Sequence, residues 1–193
     1  MWKLPKYTFT LIATMCVIGM AQTYYVRMDE VAFEAAALGQ VPFATNLQWL
    51  CDCIARLGVG LLAFLLYDKL NGYFFMLFYA ILAFLGAIFL FLVIVAQVDG
   101  GFFAIAPAAL WGLALGGYWV SVPQVLIDDA GPKHYGLVYG YALLFMLFGI
   151  FGLELLIYFI EWGTGAAVTF LILAILALVM TILAWMNDKS EKK

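Results

Sequence analysis

The chain has 193 residues, 67% of them apolar and only 11% charged, with a formal net charge of −3. An ordinary soluble domain is nearer half apolar and a quarter charged, and no globule of this length can hide the excess. The composition therefore excludes a soluble domain of any size, and with no basic patch it excludes nucleic-acid binding as well.

A bilayer-spanning helix needs about 20 largely apolar residues. Six such stretches follow one another, at about 7–26, 44–66, 73–98, 102–125, 137–160 and 166–185, and make residues 1–193 one transmembrane domain. The reading is an all-α integral membrane fold. The first stretch is too long and too aromatic for a secretory signal and lacks a small-residue cleavage site. It carries Thr8, Thr10, Thr14, Gln22 and Thr23. The connection that follows, Arg27–Phe43, is acidic with several small residues and has room for a short interfacial helix. Helix 2 holds Asn46, Gln48, Asp52 and Arg56, whereas helix 3 has no ionisable residue. Helix 4 contains Gly112-x-x-x-Gly116 and the polar residues Tyr118, Ser121 and Gln124. Pro123 is expected to bend or end it. Helix 5 opens on Gly136-x-x-x-Gly140, continues through Tyr139 and Tyr141, and carries Glu154; helix 6 is again free of charge. Such glycine spacings let helix backbones approach closely.

The lysines set the orientation. Lys3, Lys6, Lys69, Lys133, Lys189, Lys192 and Lys193 fall on one side of this six-span plan and Arg27 alone on the other, with Asp29, Glu30, Glu34, Asp99 and Glu161. Positive charge gathers on the cytoplasmic or matrix side, so both termini are placed there, with the terminal lysines as anchors in contact with membrane lipids. Trp2, Trp111, Trp119, Trp162 and Trp185 read as interfacial belts. Cys16, Cys51 and Cys53 lie in apolar stretches without metal-ligand spacing and read as small buried hydrophobes.

Charged side chains inside a membrane are costly and therefore informative. Asp52, Arg56 and Glu154 are the three here. Gln48, Asp52 and Arg56 recur every four residues and form a polar stripe on one helical face. That stripe is either a substrate or proton site, or an internal ion pair that lets helix 2 insert and pack. Glu154 has no basic neighbour on its own helix, so it needs one on another helix or a proton. Polar and small residues concentrate in helices 1, 2, 4 and 5, and the third helix of each set of three is purely apolar. That is the pattern of a 3+3 repeat, in which helices 3 and 6 face lipid.

One stretch carries a family resemblance: Ser121-Val-Pro-Gln-Val-Leu-Ile-Asp-Asp-Ala-Gly-Pro-Lys-His-Tyr-Gly136, continuing to Val138-Tyr-Gly140. It resembles the segment joining helices 10 and 11 of major facilitator superfamily transporters, above all the nodulin-like and oxalate/formate-antiporter-like groups. The resemblance implies motif roles for Asp128, Gly131, Lys133, His134, Gly136 and Gly140. Arg56-Leu-Gly-Val-Gly60 with Asp68-Lys-Leu-Asn-Gly72 is similar to that superfamily's helix 8 and the following loop, although the spacing from Arg56 to Asp68 is about one turn longer. The resemblance covers nearly the whole chain as the C-terminal six-helix half of the fold. It implies that helices 1 and 4 line a cavity and helices 2 and 5 meet an opposing half.

Two functions follow as expectations. One is an accessory or structural subunit of a larger membrane complex, with other subunits packed on helices 1, 2, 4 and 5, and the mitochondrial inner membrane as the favoured setting. The other is a half-size carrier for an organic anion, working as a homodimer or with a separate N-terminal half, with Gln48, Asp52, Arg56 and Glu154 as its substrate or partner-face residues. No nucleophile–base arrangement, metal spacing or phosphate loop is visible, so neither an enzyme nor a cofactor is expected.

Overall fold

The computed structural model describes residues 4–30, 41–66, 71–96, 101–160 and 162–191. Within them the chain forms six long helices: α1 (Leu4–Val26), α2 (Val41–Leu66), α3 (Gly72–Ile94), α4 (Gly101–Ala130), α5 (Tyr135–Ile160) and α6 (Thr164–Glu191). Residues 28–30 are helical. The remainder of the expected interfacial helix lies outside the described residues, as do Asp68, Lys69, Trp2, Lys3, Glu34, Asp99, Glu161, Lys192 and Lys193. Five helices, all but α2, are long and apolar enough to cross a membrane among the described residues, and the chain is an integral membrane protein.

Local chemistry sets the ends. The Asn71 side chain caps α3 by accepting a hydrogen bond from the Tyr73 amide (3.1 Å), satisfying a donor that the first helical turn leaves free. Gly131 stops α4 in the left-handed region (φ 73°), which glycine enters without a Cβ clash. Of the two outcomes expected of Pro123, an end to α4 is not found: the helix runs on to Ala130 with Pro107 and Pro123 both inside it. In a membrane bundle, neighbouring helices and hydroxyl side chains support a proline-interrupted ladder. Ser121 Oγ donates to the Gly117 carbonyl just before the break (2.7 Å).

Each helix packs on a restricted set of neighbours. α2 lies along α4, and α5 along α1; α3 lies on α4 and α6, and α6 on α1 and α3; α1 and α4 also touch. Two of these pairings are backbone-close. A Cβ on Gly112 or Gly116 of α4 would collide with the carbonyl oxygen of Gln48 or Asp52 in α2. A Cβ on Gly149 of α5 would collide with the Met15 carbonyl of α1, and one on Gly19 with Gly149. Gly112 and Gly116 thus serve the close packing their spacing predicts. Gly136 and Gly140 meet no other part of the chain within 4 Å.

The core centres on Trp111 of α4, which is fully buried. Its indole donates to the Ala83 carbonyl of α3 (3.0 Å). It meets Tyr24 of α1 edge-on, with ring centroids 4.5 Å apart, and lies 5.1 Å from the Phe170 ring of α6. Trp111 therefore belongs to the core, not to an interfacial belt, because Gly86 of α3 leaves room for the ring where a Cβ would strike it. α3 and α6 each expose a single apolar stripe: Phe74, Phe78, Ile81 and Leu85 on one, and Val168, Ile172, Ile175, Val179, Ile182 and Met186 on the other. The three- and four-residue intervals put each set on one helix face, as lipid-facing helices require.

Gly116→Leu is expected to force α2 off α4 and to destabilise the bundle by about 1–3 kcal/mol, the usual cost of overpacking. A lowered thermal midpoint in detergent checks this, with Gly136→Leu as the control that leaves it unmoved.

Candidate functional site

The polar stripe of α2 is placed by its contact with α4 and α1. Gln48 is 2% exposed and its Nε2 donates to the Ala21 carbonyl of α1 (3.0 Å); its Oε1 has no hydrogen-bond partner among the described residues. Asp52 is likewise 2% exposed. Its carboxylate takes Arg56 in a fork, Nε to Oδ1 at 3.1 Å and a terminal guanidinium nitrogen to Oδ2 at 2.9 Å. Because both side chains rise from one helix four residues apart, the pair is preformed and locally neutral. The guanidinium leans over Trp119 of α4, 5.6 Å from the ring centre, and the Arg56 side chain stays 43% exposed. Beside the pair is a shallow cleft with room for about one water molecule, lined by Gln22, Tyr25, Gln48, Trp49, Asp52 and Leu115.

Glu154 stands apart from this stripe. Arg27, just beyond the end of α1, donates its Nε to Glu154 Oε2 at 3.1 Å and a terminal nitrogen to Glu30 at 2.7 Å. The carboxylates, Glu30 foremost, raise the Arg27 pKa and keep it charged. The partner that Glu154 requires thus comes from the connection after α1, a position read from the sequence as an outer-side loop charge. Its Oε1 has no partner among the described residues. The residues of the family-like loop gather at the opposite end of α5. Asp128, Lys133, His134 and Gly136 are exposed, and Gly131 and Gly140 half-exposed. Gly131 has a structural task in the turn, and its carbonyl accepts from the His134 amide (3.2 Å).

A second ionic group is not visible in the sequence. Lys6 of α1 binds Asp129 at the end of α4 (2.5 Å) and Asp188 near the end of α6 (2.8 Å). Tyr73 of α3 donates its hydroxyl to Asp129 (2.7 Å), and the cap residue Asn71 donates its side-chain amide to Asp188. Lys6 also lies over the Tyr73 ring, 5.3 Å from its centre. Lys6 and Asp188 are almost wholly buried. One cluster therefore ties together the beginnings of α1 and α3 and the ends of α4 and α6. No periodicity links these residues, which are 123 and 182 positions apart. Lys6 reads from the sequence as a surface anchor, and Asp129 as a neighbour of the motif residue Asp128.

No group of three or more His, Cys, Asp or Glu among the described residues is placed to hold a metal ion. Cys16, Cys51 and Cys53 are unpaired thiols, buried, half-buried and exposed respectively.

Lys6→Ala removes the cation from between two buried carboxylates, and breaking such a pair costs about 3–5 kcal/mol. Tyr73→Phe removes one donor from Asp129 and is expected to cost about 1–3 kcal/mol. Thermal unfolding in one detergent should rank Lys6→Ala well below Tyr73→Phe and both below the parent chain. No family model matches the chain, and no curated protein or solved structure matches it either.

Proposed function

We propose that the chain is an accessory, structural subunit of a larger membrane-protein complex, built on a transporter-like six-helix bundle. The observation that carries this is the internal neutralisation of its intramembrane charges. Asp52 is bound by Arg56 on the same helix and Glu154 by Arg27. A carrier needs a charge that substrate or proton can claim; a scaffold needs charges that are already satisfied. The partner face is the arc of α2 and α5, where Leu50, Ile54, Leu57, Leu61, Leu144, Phe148, Phe151 and Leu155 are exposed. A charge-poor, aromatic-rich subunit of this kind suits the mitochondrial inner membrane, with the termini on the matrix side.

Two observations support the six-span, 3+3 half of a major-facilitator-like fold. Lys6 at the start of α1, Asn71 before α3 and Asp188 near the end of α6 meet in one cluster. A chain that leaves along α1 and is back at Asn71 has α2 as its return path, which supports α2 as a sixth crossing. The pairings also exchange when α1 is swapped with α4, α2 with α5 and α3 with α6. The contacts α2–α4 and α3–α4 then become α5–α1 and α6–α1, and α3–α6 maps onto itself.

A second reading, a half-size organic-anion carrier, is favoured by the half-exposed Arg56 side chain, a cation that an anion could reach. It requires uptake by the reconstituted chain that Arg56→Ala abolishes. Extraction of native membranes in mild detergent, a native gel and mass spectrometry of the co-migrating chains separate the two. The subunit reading expects a stoichiometric heteromeric band of high mass; a homodimer with substrate-dependent uptake in liposomes overturns it.

A further inference from the structure

Arg56 is the charged group that the bundle neutralises without covering. Asp52 takes two of its N–H directions, and the Arg56 side chain stays 43% exposed. One turn on, a Cβ on Gly60 would meet no other described residue within 4 Å, so another helix can approach α2 closely there. Lipid chains offer no hydrogen-bond acceptor, so whatever covers the site must bring one.

A second copy of the chain brings no side-chain acceptor. Copies inserted the same way share a depth in the bilayer, and internal contacts show what each helix exposes at that depth. Gln48 reaches Ala21 of α1, Gly19 of α1 abuts Gly149 of α5, and Asp52 abuts Gly116 of α4. Counting about 1.5 Å per residue from these contacts puts the Arg56 guanidinium near Met146 of α5. Within about one helical turn of that level (~5.4 Å), α5 exposes Leu143, Leu144, Leu147 and Phe148. There α1 shows Ile12 and Met15, α4 shows Leu113, Trp119 and Val120, and α2 shows Cys53, Ile54 and Leu57. None of these side chains carries an oxygen.

We infer that α2 docks a different transmembrane polypeptide, which presents an uncharged side-chain oxygen acceptor (Asn, Gln, Ser or Thr) to the half-exposed Arg56. The acceptor is uncharged because Asp52 already balances Arg56, and a further carboxylate would leave a net charge in hydrocarbon. This inference rests on the subunit reading and names the chemistry of its partner.

The test places a photo-crosslinking amino acid at Ile54 or Leu57 of the full chain, in the membranes where it normally resides. The adducts are then sequenced by mass spectrometry. The expected adduct is a transmembrane peptide of another chain, with one of these acceptors within a turn of the cross-linked residue. In parallel, the neutral double variant Asp52→Leu with Arg56→Leu should lower the yield of the heteromeric assembly at least tenfold. Arg56→Lys, which keeps the charge but loses the planar fork, should lower it less. Adducts that join two copies of the chain, adducts with lipid alone, or a partner segment bearing only apolar side chains at that position overturn the inference. So does full assembly of the double variant. If such a result comes from a chain still held in a heteromeric complex, the docking site alone is wrong. A chain that migrates alone or as a homodimer removes the subunit reading and this inference together.

Discussion

Hydrocarbon solvates neither charge nor free peptide groups, so a short membrane chain must settle each ionisable side chain against another part of itself or of a partner. Here the most connected settlement is Lys6 with Asp129 and Asp188, completed by Tyr73 and Asn71. It holds four helices at one end of the bundle, and the direction of each then follows. α1 and α3 leave the cluster, whereas α4 and α6 return to it. With those ends fixed, α2 and α5 have only lateral freedom, and close glycine contacts take that up, α2 against α4 and α5 against α1.

The result is a bundle with an unequal interior. α1 and α4 supply most of the buried polar hydroxyls, and several of them bond to a neighbouring carbonyl or hydroxyl, although Thr23 Oγ1 has no partner among the described residues. Thr14 donates to the Thr10 carbonyl, Ser121 to the Gly117 carbonyl, and Tyr118 pairs with Thr181. Such bonds within or between helices let these three hydroxyls sit in the core with a partner each. Trp111 then fills the space between α1, α3 and α6, and one indole hydrogen bond fixes its orientation. Dense packing at the centre leaves mainly the outer arcs of α2, α3, α5 and α6 to face whatever surrounds the protein.

The helices were legible because a run of about 20 apolar residues is a direct record of bilayer thickness. The ends were less so. α4 passes Pro123 and α6 continues to Glu191, since tertiary contacts at Asp129 and Asp188 hold turns that local sequence disfavours or leaves neutral. The Asp52–Arg56 pair was legible from four-residue spacing alone, because both partners share a helix. Arg27 with Glu154, and Lys6 with its two aspartates, join residues more than a hundred positions apart. No periodic signal records such a pair, and a charge near a helix end reads first as a solvated anchor. For the same reason the sequence pointed to Asp128, whose motif neighbours are exposed, when Asp129 enters the cluster.

The location of each ion pair bears on what the bundle can do. A contact that gates alternating access must be made in one state and broken in another, so its partners must lie on bodies that move apart. Asp52 and Arg56 rise from a single turn of α2 and stay together whatever the other helices do. The Lys6 cluster spans four helices, but it pins them at one end, so it opposes relative motion within the bundle. Arg27 and Glu154 join α5 to the end of α1, a pair already locked by the Gly19–Gly149 contact. None of the three is placed to be made and broken in a transport cycle, and all three favour a rigid body. Arg56 stays half-exposed beside its buried carboxylate, and on the docking proposal a second polypeptide supplies what the bundle does not.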